Sequence, residues 1–233
     1  LYALGAATQN LDGETLSEVG SLANAGAVGL SNGNTPIARP DVMMRVMSYA
    51  AAFERTLHHF PFDPHLSKGM MNKGALATQL GLSSSYKLAE ILMVQRDISL
   101  AESTGSTPHL GPLTCAESLV LVRAAKAKGL PISCSTAPQY FCLNELEVQD
   151  YRSYAKLNPP LRAEDDRNAV AKAVADGTID CIVSDHCPQD VDAKRVPFEQ
   201  AAFGMVGLET LLSMSLTLFH NEQIDLHALL ATL

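Results

Sequence analysis

Ile179-Asp180-Cys181-Ile182-Val183 runs directly into Ser184-Asp185-His186-Cys187-Pro188-Gln189. A short apolar strand spills here into a polar loop, and Asp185 stands at the junction. In a fold of parallel strands and covering helices, functional side chains gather at the strand C-terminal ends and the loops that follow. A carboxylate at such a point can ligate a metal ion or take a proton from a metal-bound water. A bland reading stands beside that one, since Asp also commonly caps a turn after a strand.

Working outward, the same alternation recurs. Strand-like apolar runs occupy residues 1–8, 26–30, 55–60, 107–111, 130–134 and 179–183. Helical periodicity occupies 16–25, 41–52, 75–80, 86–103, 116–128 and 164–175, and after the last strand 208–219 and 226–233. Strands alternating with helices imply βα units on a parallel sheet. Pro40 before Asp41 suits a helix start, and Gly129 suits a helix end. About six βα units are legible, against the eight of a closed barrel. The run opens on a strand and stops inside a helical pattern, so the expectation is one barrel domain over 1–233, incomplete at both ends.

Composition narrows the class. Of 233 residues, 47% are hydrophobic and 18% charged, which is ordinary for a globular chain. Apolar runs fall short of the roughly 20 residues that span a bilayer. The net charge of −8, with no Lys/Arg cluster, argues against nucleic acid and anionic membranes as partners. Five scattered cysteines without a CxxC pair read as free thiols, and with no visible signal peptide the expected location is the cytoplasm. The methionines sit mostly at helical core spacing, which reads as packing.

Four segments are more specific: Ala25-Gly26-Ala27-Val28-Gly29-Leu30-Ser31, Met71-Asn72-Lys73-Gly74, Leu157-Asn158-Pro159-Pro160-Leu161-Arg162, and the stretch from Asp176 to His186. With Phe198-Glu199-Gln200-Ala201-Ala202-Phe203-Gly204 and Gly207-Leu208-Glu209-Thr210, their order and spacing resemble the dihydroorotases of the cyclic amidohydrolase superfamily. That resemblance implies a TIM-type (β/α)8 barrel and pyrimidine biosynthesis. It also implies one or two zinc ions at the barrel mouth that activate the ring-opening water. Part of the metal site, a His-x-His pair with a following Arg for the substrate carboxylate, would precede Leu1.

Carried over by position, Asp185 is the retained metal ligand and proton shuttle. Asn158 would hydrogen-bond the substrate ring, and the backbone at Phe203 and Gly204 would meet its other edge. Gln189 stands where a pyrimidine-contacting histidine is usual. Three further positions have changed. Gly33 replaces the metal-bridging carboxylate, Phe60 a ligand histidine, and Pro112 a second ligand histidine. His109 keeps a non-ligand histidine. Side chains alternate along a strand, so His59 should point away from the cavity, while His58 should sit about 6.6 Å below the ligand level. Phe60 and Pro112 should leave an apolar cavity.

Two readings remain open. One is a metal-depleted, non-catalytic member that scaffolds aspartate carbamoyltransferase. The other is an active zinc-dependent dihydroorotase, allantoinase or hydantoinase that breaks a cyclic amide C–N bond. Homo-oligomers stay open in both.

Overall fold

The computed structural model describes residues 2–233; the expected first strand loses only Leu1 to the undescribed part. Eight strands form: β1 (Leu4–Ala6), β2 (Gly29–Ser31), β3 (Thr56–His59), β4 (Met71–Asn72), β5 (Ser84–Ser85), β6 (Pro108–Leu110), β7 (Ser133–Thr136) and β8 (Cys181–Ile182). Ten α-helices accompany them: α1 (Val19–Asn24), α2 (Pro40–Ala52), α3 (Ala75–Leu80), α4 (Leu88–Thr104), α5 (Ala116–Ala127), α6 (Pro138–Cys142), α7 (Glu164–Ala175), α8 (Val191–Lys194), α9 (Leu211–His220) and α10 (Leu226–Thr232).

Six strands build one sheet in the order β1-β2-β3-β6-β7-β8, and every neighbouring pair is parallel. Chain order and sheet order therefore agree around the arc, as in a β/α barrel. β4 and β5 form a separate parallel pair. Outside the sheet, α2 packs on α4, α4 on α5 and α5 on α7.

Local chemistry explains the helices. Pro40 opens α2 at the first helical position, and Asp41 places a carboxylate at the positive end of its dipole. Val42, Met43, Val46, Met47 and Ala50 are buried on one face, against Leu30 and Leu57 of the sheet. Each large side chain among them contributes about 1.5–3 kcal/mol of burial. Gly129 follows the cap of α5 with φ +81°, a conformation that suits glycine. All five cysteines are free. Among the described residues no helix is long and apolar enough to cross a membrane.

The sheet carries the site. Strand C-terminal ends open on one rim, where Gly33, Phe60, Pro112 and Asp185 come together.

Candidate functional site

Two adjoining depressions make up the rim site. The larger, about 350 Å³, is lined by Ser31, Gly33, Asn34, His58, Phe60, His109, Pro112, Ser135, Ser184, Asp185 and Cys187, among others. The smaller, about 100 Å³, is lined by Asn34, Leu157, Asn158, Asp185, Cys187, Phe203, Gly204 and Met205. Asp185 belongs to both, so it sits where a ring held by the smaller pocket would face the larger one. The sequence-predicted residues Asp185, Asn158, Phe203 and Gly204 are thus brought together. Gln189 stays exposed outside both, where its Nε2 donates to the Phe203 carbonyl at 2.9 Å. Gly204 N–H donates to the Lys156 carbonyl at 3.0 Å. Both backbone groups thus take a bond within the chain, and the carbonyl oxygen keeps a second lone pair.

Asp185 follows β8 in a left-handed conformation, φ +45°. Its Oδ2 accepts from Gln139 Nε2 at 2.9 Å and lies 3.4 Å from the Tyr140 hydroxyl, which donates to the Pro159 carbonyl at 3.1 Å. Burial pushes the carboxyl up to about 6, while the contacts to Gln139 and Tyr140 pull the other way. Burial also raises the Tyr140 hydroxyl well above its ordinary value. Gln139 and Tyr140 went unnoticed in the sequence. The only signal was their place at the start of a helix just beyond β7.

The three positions where the family resemblance expects a donor differ in their surroundings. Gly33 has φ +59°, and an added Cβ would meet only Leu11 Cδ1 at 3.9 Å, so the loop there has room for a side chain. Phe60 is buried against Phe62, ring centroids 5.6 Å apart, and against Ala89. Pro112 follows a cis peptide from Gly111. The expected apolar cavity is corrected, because serines, Asn34 and four histidines, His58, His59, His109 and His186, share its wall with Phe60 and Pro112.

His58 and His109 are register partners on β3 and β6, and their rings face each other at 4.9 Å. His109 Nδ1 lies 2.9 Å from Ser133 Oγ. Burial, and then the neighbouring His58, hold the His109 imidazole down at about 4. Burial lowers His58 as well. His59 turns to the other face, where its Nδ1 lies 2.6 Å from Asp97 Oδ2 and its Nε2 accepts from Ile37 N–H at 3.0 Å. A strand-end pair would be expected to bury one ring and expose the other, but His59 is buried and His58 half-buried, so neither is exposed. Strand alternation accounts for this, with one ring in the barrel and the other in the helical layer.

Among the described residues, no three His, Cys, Asp or Glu side chains are grouped to hold a metal ion. The donors around Asp185 are amide and hydroxyl hydrogens, which stabilise a carboxyl but do not ligate. The described residues therefore do not by themselves fit a metal centre.

Arg162, four residues beyond Asn158, belongs to a dense buried polar network. Glu90 accepts from Thr114 N–H at 3.0 Å, Cys115 N–H at 3.0 Å and Thr114 Oγ1 at 2.5 Å. Arg162 donates from Nε to Thr114 Oγ1 at 3.0 Å and from Nη1 to Asn72 Oδ1 at 3.1 Å. Asn72 in turn donates to Glu145 at 2.7 Å. Lys194, in a stretch whose composition suggests a polar loop, is buried at the end of α8.

No protein-family model matches the chain. Curated relatives do. A dihydroorotase from Desulfotalea psychrophila is 45% identical over 222 residues, covering 95% of this chain and 53% of that protein. One from Desulforapulum autotrophicum is 42% identical over 230 residues, covering 98% and 54%. Among solved structures, an L-hydantoinase (dihydropyrimidinase) from Arthrobacter aurescens superposes with a TM-score of 0.84 at 22% identity, over 99% of this chain and 54% of that one. A Saccharomyces cerevisiae dihydroorotase in complex with 5-fluoroorotic acid gives 0.74 at 13% identity, over 98% and 63%. These structural likenesses carry the fold, an amidohydrolase TIM-type barrel. The chain spans about half the length of the curated relatives it matches, and it belongs to the dihydroorotase family of the cyclic amidohydrolase superfamily.

Proposed function

We propose that this chain is part of a dihydroorotase-family protein of pyrimidine biosynthesis that has given up its metal and its chemistry and serves as a scaffold for aspartate carbamoyltransferase. One observation carries the reading. Three rim positions on three separate strand ends, where the family resemblance expects metal donors, hold Gly33, Phe60 and Pro112, none with a side-chain donor atom. A catalytic zinc needs about three protein ligands and an open position. Of that set, the described rim offers the Asp185 carboxyl.

The intact gene product, purified without chelator and dialysed against trace zinc, is expected to hold well under one zinc per chain by plasma mass spectrometry. It is also expected to co-migrate with aspartate carbamoyltransferase in size-exclusion chromatography. Stoichiometric zinc together with dihydroorotate turnover would overturn the reading.

The second reading, an active zinc-dependent dihydroorotase or related cyclic amidohydrolase, draws on Asp185. A carboxyl with its affinity for a proton raised to about 6 is suited to general acid–base work near neutral pH. In that case the remaining ligands would come from the His-x-His pair that the family resemblance implies.

A further inference from the structure

The helical side of β3 holds a second buried assembly, and it grips the loop between β2 and α2. His59 is 2% exposed and Asp97 fully buried. His59 Nδ1 lies 2.6 Å from Asp97 Oδ2, and its Nε2 accepts from the Ile37 N–H at 3.0 Å. Asp97 Oδ1 accepts from Arg96 Nε at 2.9 Å and from Nη2 at 2.7 Å. Arg96 Nη1 donates to the Ala38 carbonyl at 2.8 Å.

A backbone amide can only donate, so Nε2 must offer a lone pair to Ile37 and the ring proton must sit on Nδ1, toward Asp97. A second proton, on Nε2, would set two N–H groups against each other in an interior that leaves a buried donor unpaired at full cost. The other anchors of this loop do not titrate. Asn32 accepts from Thr8 Oγ1 at 2.6 Å and donates to the Thr35 carbonyl at 3.0 Å, and Arg96, always charged, keeps Ala38. Between Asn32 and Ala38 run residues 33–37. Gly33 there lines the larger rim depression, and Asn34 lines both.

Asp97 and Arg96, both from α4, are the charged groups against His59. α2 turns Val42, Met43, Val46 and Met47 to this side of the sheet, and β2 turns Leu30, none of which titrates. His58 and His109 lie on the opposite face.

We propose that His59 is a proton-sensitive latch on the rim: with one ring proton it pins Ile37 and fixes the 33–37 stretch, and with two it releases Ile37 and frees Gly33 and Asn34 to leave the two depressions. The latch stands apart from the question of metal and turnover, because none of its groups belongs to the donor positions.

The test uses the full-length protein with isotope-labelled histidine and isoleucine, followed by NMR as the pH is lowered from neutral. Ring nitrogen shifts report the tautomer and the second proton, and hydrogen exchange reports the Ile37 amide. The Ile179 amide, bonded to the Ala173 carbonyl at 3.0 Å on the far side of the sheet order, serves as the control for global opening. At neutral pH the ring is expected to be the Nδ1–H tautomer. As it gains its second proton, protection of Ile37 is expected to fall about tenfold in step, the size of one buried bond lost, while Ile179 holds. His59→Gln, whose amide oxygen can accept without titrating, is expected to keep Ile37 protected through the same range.

An Nε2–H tautomer at neutral pH would overturn the latch, as would a ring that stays neutral until Ile179 also opens. So would a ring that titrates while Ile37 stays protected, or a Gln variant that loses Ile37 protection over the same range as the intact protein.

Discussion

The two halves of the rim make a sharp contrast. On one side stand Gly33, Phe60 and Pro112, which contribute no side-chain hydrogen bond between them. On the other, buried Lys156 and Lys194 bond the loop that carries Asn158 to the segment that carries Gly204, and Arg162, four residues beyond Asn158, joins buried Glu90 through Thr114. Buried charge is expensive and survives only where partners are fully arranged. At those three positions the donor side offers no polar side chain, while the ring side keeps a costly framework intact. A barrel drifting without constraint on this rim would be expected to lose both.

The largest effect should come from cutting that framework. Glu90→Ala removes an acceptor that serves two backbone amides, a hydroxyl and the neighbourhood of Arg162, whose Nη2 is already unbonded. Breaking one partner of a buried ionic network costs about 3–5 kcal/mol. Urea unfolding monitored by circular dichroism measures this. A loss below about 1 kcal/mol, the range of an exposed pair, would erase the contrast.

Next comes acid titration, because the two sides respond in opposite senses. His109 titrates at about 4 in the fold against an ordinary 6.5, so the unfolded chain binds more protons between those values. Its contribution to stability is present above 6.5 and lost as pH falls toward 4. Asp185 titrates at about 6 against 3.8, so there the folded chain binds more protons, and its contribution fades as pH rises through 6. The slopes of these two groups should nearly cancel between pH 4 and 6. Asp185→Asn removes one of them, leaving His109 and, in the same direction, His58 and the ion-paired carboxylates, Glu164 foremost, which is held down at about 2 by Arg167. The variant should then lose about 2 kcal/mol on going from pH 6.5 to 4, after allowing for partial screening. A pH series of denaturant melts that stays level in the variant would place His109 in an environment close to water.

A smaller effect compares two glycines. Gly33→Ala meets only the strain of a left-handed residue, about 1–2 kcal/mol, because the space around it is open. Gly204 has φ +126°, and an added Cβ would run into the Cys187 carbonyl and lie 2.8 Å from its sulfur. Gly204→Ala should therefore cost at least about 1 kcal/mol more than Gly33→Ala, as expected of an overpacked site. Paired thermal melts decide it, and equal costs would mean that the ring side is no more tightly built than the donor side.

Much of this was legible in the sequence, and the remainder was hidden for physical reasons. The helices at 75–80 and 164–175 match their periodic patterns end to end. The β2 and β7 strands lie one to three residues later than the apolar runs suggest, since a run marks burial and a strand marks pairing. The short α6, the β4–β5 pair and the 3-10 turns over 145–155 carry too few residues for any period to register. Loop lysines read as solvated by default, which concealed Lys156 and Lys194. Glu90 did leave a trace. With Met93, Val94 and Asp97 it falls at spacings of three, four and seven on the buried face of α4, where an acid demands an internal partner.

The smallest effect is the most telling about Asn158. Its side chain is exposed and makes no hydrogen bond among the described residues, although it projects from the most heavily supported loop of the rim. Asn158→Ala should therefore change stability by no more than about 0.5 kcal/mol, the ordinary range for such a surface position. A near-silent melt would mean that the framework of Lys156, Lys194 and Arg162 presents Asn158 rather than depends on it, as a loop built to offer an amide would do. A cost near 2 kcal/mol would show the reverse, an asparagine that belongs to the packing, and the ring side would then be a structural residue of the family fold and nothing more.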